Sequence, residues 1–166
     1  KNYNDLRKIR GLNEQNLRNK YYLIHTFSHL LINQLSYSCG YGSSSLRERI
    51  YCNSSSDANL MQGVLIYTAS GDSEGSLGGL VREGEPKNLM RIIKKMINKA
   101  QVCSYDPVCL DHKAQGLNNT NASACHACSF LSETSCEQSN QLLDRTTIIG
   151  DPKYNSIGYF QDLIED

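Results

Sequence analysis

Residues 103–136, CSYDPVCLDHKAQGLNNTNASACHACSFLSETSC, hold five of the chain's seven cysteines: Cys103, Cys109, Cys125, Cys128 and Cys136. An odd total fits a disulfide framework poorly, whereas a Cys-x-x-Cys pair inside a cluster is the arithmetic of a metal site. Zinc takes four thiolate or imidazole ligands, and one tight Cys-x-x-Cys turn supplies two of them. The second pair must come from the other cysteines or from His112 and His126. His126, inside the knuckle, is expected to point outward rather than ligate. The intervening stretch 110–124 is polar and rich in asparagine, so it has no core of its own and needs a staple. Two other readings stand beside zinc. Cys125-His126-Ala127-Cys128 also has the form of a thioredoxin-like redox pair, although that motif wants a buried strand before it and a long helix after it. The cysteines can also be plain structural thiols.

Upstream, residues 21–37 predict the strongest helix. Leu23, Phe27, Leu30, Leu31 and Leu35 recur at three- and four-residue steps, as one buried stripe requires, and Gly40 and Gly42 end it. His25 and His29 stand four apart on one helical face. No Glu follows His25, so this is not the metalloprotease signature, and packed histidines are the simpler expectation. Ser43–Ser45 can cap a short helix over residues 46–51; a strand there is equally consistent with the residues. Residues 53–59 read as a loop, and 63–68, GVLIYT, as a buried strand.

Residues 70–86 are glycine-rich, but they lack the Gly-Lys-Ser/Thr of a phosphate-binding loop and the Gly-x-Gly-x-x-Gly of a dinucleotide site. Close packing and a tight turn account for the glycines better. Residues 86–102 predict a second helix, with Pro86 in its first turn. Its apolar stripe is Leu89, Ile92, Ile93, Met96, Ile97 and Ala100; its polar face carries Lys87, Arg91, Lys94, Lys95 and Lys99.

Lysine plus arginine equals aspartate plus glutamate at 17 each, so the formal charge is zero. That balance argues against a strongly basic nucleic-acid binder while leaving room for local patches. Residues 1–20 net +4, 82–99 net +4 and 130–166 net −5. The first of these reads as a basic lead-in arm or a marginal amphipathic helix, and the basic and acidic stretches are free to pair. No apolar run approaches the ~20 residues a membrane-spanning helix needs. Lys1 opens the sequence with no charged-then-apolar leader, which reads as a start inside a longer chain.

The succession HTFSHLL, GVLIYTASGDSEGSLGGL, CSYDPVC and ACHACSFLSETSCEQSNQLLDR resembles the MrfA-type zinc-binding domain. That domain occurs at the carboxyl end of certain superfamily 2 DNA helicases. The closer likeness is to the DrmB proteins of the DISARM anti-phage system. The likeness covers roughly residues 20–150, and Cys136 through Arg145 is its most specific block. It implies one structural zinc held by four cysteines. Carried over residue by residue, these are Cys125, Cys128 and Cys136, with Cys109 as the fourth and Cys103 as the reserve. The Asp106-Pro107 turn would present Cys109, while Cys103 looks like the end of the preceding helix. Cys39 and Cys52 match no ligand position and are expected to be buried thiols.

The expected fold is α+β: helices packed on a small β-sheet, with a C-terminal four-cysteine zinc-binding lobe. The expected organisation is a basic arm at 1–20, an α+β core at 21–102, the zinc lobe at 103–150 and an acidic tail at 151–166. The resemblance implies a non-catalytic, cytoplasmic accessory module. It would associate with a superfamily 2 helicase and assist DNA engagement, with Lys87, Arg91, Lys94, Lys95 and Lys99 as candidate DNA contacts. The alternatives are a metal-dependent hydrolase or nuclease using His25, His29, Asp72 and Glu74, a cysteine-pair redox protein, and a scaffold that binds protein alone.

Overall fold

In the computed structural model the described residues are 2–14, 19–42, 44–53, 59–69, 77–111 and 114–164. Helix α1 (Asn2–Ile9) precedes the long helix α2 (Asn19–Cys39), and strands β1 (Leu46–Cys52) and β2 (Gln62–Thr68) form an antiparallel pair. Helices α3 (Leu77–Glu83) and α4 (Pro86–Ala100) follow, then two single-turn helices, α5 (Val108–Asp111) and α6 (Thr146–Ile149), set in a long irregular segment. Among the described residues no helix is long and apolar enough to cross a membrane. The fold is α+β, as the sequence predicts.

Helix α2 is the central element. Leu30, Leu31, Ile32 and Leu35 pack with Leu46 of β1, with Ile92, Met96, Ile97 and Ala100 of α4, and with Ile148 of α6. Burial extends beyond the predicted stripe to Tyr21, His25, Thr26, Ser28, His29 and Gln34. A helix covered on most of its circumference needs neighbours on every side. The sheet and α4 supply some of them, and the C-terminal segment supplies the rest.

Residues 46–52 settle as a strand. Its alternation sends Leu46 and Glu48 inward and Arg47 and Arg49 outward, the period of a half-buried strand. The register pairs Leu46 with Thr68 and Cys52 with Gln62. Strand β2 is less buried than its apolar run predicts, since Leu65 and Tyr67 are exposed on the sheet's open face. A two-stranded antiparallel sheet covered on one side leaves its other face in water.

Three other features add to the sequence reading. The part of the glycine-rich stretch that is described, from Leu77, forms helix α3, tied to α2's C-terminal flank by the Tyr41 hydroxyl accepting the Leu80 N–H. Within the stretch expected as an acidic tail, Phe160, Leu163 and Ile164 pack on the core and Phe160 stacks on Phe27. Cys39 and Cys52 are half-buried.

Candidate metal centre

Helix α4 ends at Ala100, and the chain turns at once. The Asp106 carboxylate accepts the Cys103 N–H at 2.7 Å, closing a turn that lifts Cys103 off the helix axis. A cis Asp106–Pro107 bond then leads into α5, which buries Cys109. From the far side comes the knuckle, in which the Cys125 carbonyl accepts N–H donors from Cys128, Ser129 and Phe130 at 2.9–3.2 Å. Gln115 holds the loop between the two halves, donating to the Cys109 carbonyl at 2.7 Å.

The four thiols of Cys103, Cys109, Cys125 and Cys128 therefore converge within 4.8 Å of one another. Sγ–Sγ separations are 3.6 Å for Cys103–Cys125, 3.8 Å for Cys125–Cys128 and 3.9 Å for Cys109–Cys128. A tetrahedron of thiolates at a Zn–S distance of about 2.3 Å has edges of about 3.75 Å. The sulfurs also receive hydrogen bonds of the kind that stabilise ligating thiolates: Tyr105 N–H to Cys103 and Cys125 N–H to Cys128, both at 3.4 Å, and the Ser129 hydroxyl to Cys128 at 3.2 Å.

Burial pushes the Cys103 thiol up to about 11 and raises Cys109 further, with the negative charge of Cys128 adding to the effect on Cys109. Burial would raise Cys125 too, but the Ala127 N–H and the three surrounding thiols outweigh it, and Cys125 ionises below the ordinary cysteine value. Four crowded thiols with opposed tendencies are what a divalent cation resolves, because it binds only the ionised form. Arg145 lies alongside, fully buried, donating to Asp106 at 2.6 Å and to the Ala100 carbonyl at 2.9 Å. It ties the metal loop to the end of α4.

The thiols that converge are not the four expected from the resemblance. The structure gathers Cys109, Cys125 and Cys128 with Cys103, the reserve ligand, and leaves Cys136 out. The local pattern makes Cys103 a helix end, yet the Asp106 turn redirects it within three residues. Cys136 lies against α2 and β1, its Sγ 3.3 Å from His25 Nε2. His126 is exposed, edge-on to the Tyr105 ring at 5.0 Å. His112 lies outside the described residues.

The model of the MrfA Zn-binding domain family matches residues 27–129. That span contains all four converging cysteines and stops short of Cys136. The chain belongs to this family. It is also 45% identical over 146 residues to the DISARM protein DrmB of Bacillus paralicheniformis, an alignment covering 87% of this chain and 25% of that protein. The chain thus spans about a quarter of the relative's length. As an MrfA Zn-binding domain, it carries in its four-cysteine cluster the donors for a single zinc ion. Four protein thiolates complete zinc's tetrahedron and leave no open position for a reacting water, the pattern of a structural site.

The remaining candidates divide. On α4, Lys87, Lys95 and Lys99 are exposed, and Lys99 lies over the Tyr37 ring at 5.5 Å. Arg91 is engaged with the buried Glu83 at 3.2 Å, which gives it a structural task, and Lys94 is half-buried. A cleft of about 300 Å³ opens between α2, α4 and the knuckle, lined by Tyr37, Lys99, Val102, His126 and Phe130 among others. Asp72 and Glu74 lie outside the described residues. His25 and His29 are fully buried and meet Glu48 and Cys136. Burial lowers the His25 pKa despite the hydrogen bond to Glu48 that opposes it. Burial would raise Glu48, but the hydrogen bond with His25 and the two imidazole rings packed against it hold its carboxyl well below the usual range. Sequence reasoning misses Glu48 because residues 46–51 are equally consistent with a helix and a strand. The Leu46–Glu48–Ile50 alternation is the signal that places it inward.

Proposed function

We propose that this chain is a non-catalytic, zinc-structured accessory module that associates with a superfamily 2 helicase and assists DNA engagement in cytoplasmic anti-phage defence. The observation that carries this reading is the closed four-thiolate cluster inside the family match, a centre suited to holding a shape rather than turning over a substrate. The similarity to a DISARM protein supports the defence setting. Lys87, Lys95 and Lys99 are exposed along α4, and Lys99, which lies over the Tyr37 ring, lines the cleft at the knuckle. Cationic and aromatic side chains side by side suit a nucleic-acid strand. Zero net charge predicts weak affinity for DNA in isolation, and whatever lysine–phosphate contact exists weakens as salt rises.

The test has two arms. Co-purification of the intact protein with the superfamily 2 helicase of its own defence locus reads the partner. Titration of the complex with DNA, for wild type and for a K87E/K95E/K99E triple variant, reads the contact. If these lysines face phosphates, reversal weakens binding about uniformly across sequences and lowers the salt slope by about 1 for each phosphate no longer neutralised. Unchanged affinity and slope in a folded triple variant would leave a protein-binding scaffold. Failure to co-purify would remove the helicase from the proposal.

A further inference from the structure

We propose that His25, His29, Glu48 and Cys136 form a second metal site, distinct from the four-cysteine centre, that takes a zinc-like divalent transition ion. The four donor atoms lie within 4.8 Å of one another and arrive from α2, from β1 and from the turn after residues 133–135. His25 Nε2 is 3.0 Å from Glu48 Oε1 and 3.3 Å from Cys136 Sγ, and His29 Nε2 is 3.4 Å from Glu48 Oε1. Nitrogen, oxygen and sulfur donors at zinc's usual bond lengths stand about 3.3–3.6 Å apart on a tetrahedron. The residues are exposed by 0%, 0%, 2% and 9% in the order named, so water does not reach them freely.

The hydrogen bonding points the same way. His29 Nδ1 faces the Ser129 carbonyl at 2.8 Å, an arrangement that places the ring proton there and turns the Nε2 lone pair toward Glu48. Among the described residues that Nε2 has no hydrogen-bond partner, and neither has Glu48 Oε2. His25 Nδ1 also forms no aligned hydrogen bond among the described residues, although the Leu142 backbone lies beside the ring. The Glu137 N–H reaches Glu48 Oε1 at 3.3 Å, yet His29 Nε2 and Glu48 Oε2 keep lone pairs with no donor among the described residues. A buried polar atom left unsatisfied forfeits its hydration without replacement, and here several are gathered around one point. A cation supplies what they lack.

The sulfur is prepared in the same manner as those of the four-cysteine centre. Cys136 Sγ accepts the N–H groups of Gln138 and Asn140, both at 3.3 Å. Charge also balances, since one carboxylate and one thiolate neutralise a divalent ion in a dry site. Imidazole, thiolate and carboxylate together suit zinc better than magnesium or calcium, which prefer oxygen alone. With four protein donors the ion fastens β1 and the Cys136 turn to α2.

Elemental analysis of the intact chain, purified without chelator and freed of loosely held metal, decides the stoichiometry. Two zinc ions per chain are expected, falling to one in Cys136→Ala and to one in His29→Gln. Cys128→Ser is expected to lose the other ion. X-ray absorption at the zinc edge of the wild type adds a readout independent of any variant. Two sites average five sulfur and three nitrogen or oxygen donors over two ions, while the four-cysteine centre alone gives sulfur only. One zinc per folded wild-type chain with a sulfur-only shell overturns the proposal, leaving a hydrogen-bonded cluster held by a shared proton. Should the variants misfold, the wild-type stoichiometry and donor average still decide.

Discussion

Arg145 is a guanidinium with no exposed surface, and such a residue is retained only where its charge and donors are engaged. Two of its nitrogens are committed, to Asp106 and to the Ala100 carbonyl, and Asp106 in turn fixes the Cys103 N–H. One side chain therefore sets the turn that delivers Cys103 to the four-thiol cluster. Its positive charge also lies near Cys109 and Cys128, where it offsets the excess negative charge of four thiolates on one divalent ion. Arg145→Met keeps much of the volume but removes both bonds and leaves Asp106 uncompensated. Since Asp106 retains some exposure, the expected loss is about 3 kcal/mol, the low end for a broken buried pair. Zinc affinity is expected to fall about 10–100-fold, as when a group that orients a ligand is removed. Competition with a chromophoric chelator reads the second effect and urea unfolding the first. Unchanged zinc affinity would mean that Cys103 is positioned without Arg145. Little of this is legible in the sequence, because the Arg–Asp contact joins positions 39 residues apart. Cys-x-x-Cys betrays itself by local spacing, which is why Cys125 and Cys128 stand out. Tertiary contacts that spacing does not encode place Cys103 in the four-thiol cluster and Cys136 beside His25 and Glu48.

The elements divide along the same line. Helices α2 and α4 and strand β2 announce themselves by periodicity, since a 3.6-residue stripe or a short β-branched run is local information. Strand β1 is ambiguous in the sequence because Arg47, Glu48 and Arg49 put charge on both of its faces. Only the cluster with His25 and His29 explains why Glu48 turns inward. Helix α3 is hidden by its glycines, which lower helix propensity and here are overridden by packing of Leu80 against the core. Helix α4 shows most clearly how one element divides its labour. Ile92 on its inner face has no exposed surface, while Lys87 on the outer face is exposed. Ile92→Ala is expected to cost about 2–5 kcal/mol, through reduced burial and the cavity left behind. Lys87→Ala is expected to stay within about 0.5 kcal/mol of wild type. Urea midpoints for the two variants check the contrast. A large loss at Lys87 would show that the basic face is structural, which would weaken its candidacy as a DNA contact.

At the scale of the whole molecule, the zinc segment is wrapped around α2 rather than appended to it. The Asp144 N–H donates to the Thr26 hydroxyl at 2.9 Å, His29 bonds the Ser129 carbonyl, and Ile148 belongs to the same core as Leu30 and Ile92. The residues between Cys103 and Leu143 contribute few apolar side chains of their own to that core, so their backbone relies on the metal and on α2 for its position. Removing zinc should therefore loosen α2 itself. Metal binding and folding are then one equilibrium, and a strong chelator is expected to abolish secondary and tertiary signals together in a single transition. Acid should act in the same direction. Cys103 and Cys109 are held above the ordinary cysteine value without metal, so zinc must displace their protons. Affinity then rises with pH by about a decade per proton released, or about two decades per unit from these two thiols between pH 7 and 9. Far- and near-ultraviolet circular dichroism during chelator titration at several pH values measures both effects. Coincident curves that shift to lower chelator concentration as pH falls are expected. A helical signal that outlasts the loss of tertiary signal would show instead that α2, α4 and the sheet stand without the zinc segment, despite the bonds that join them to it.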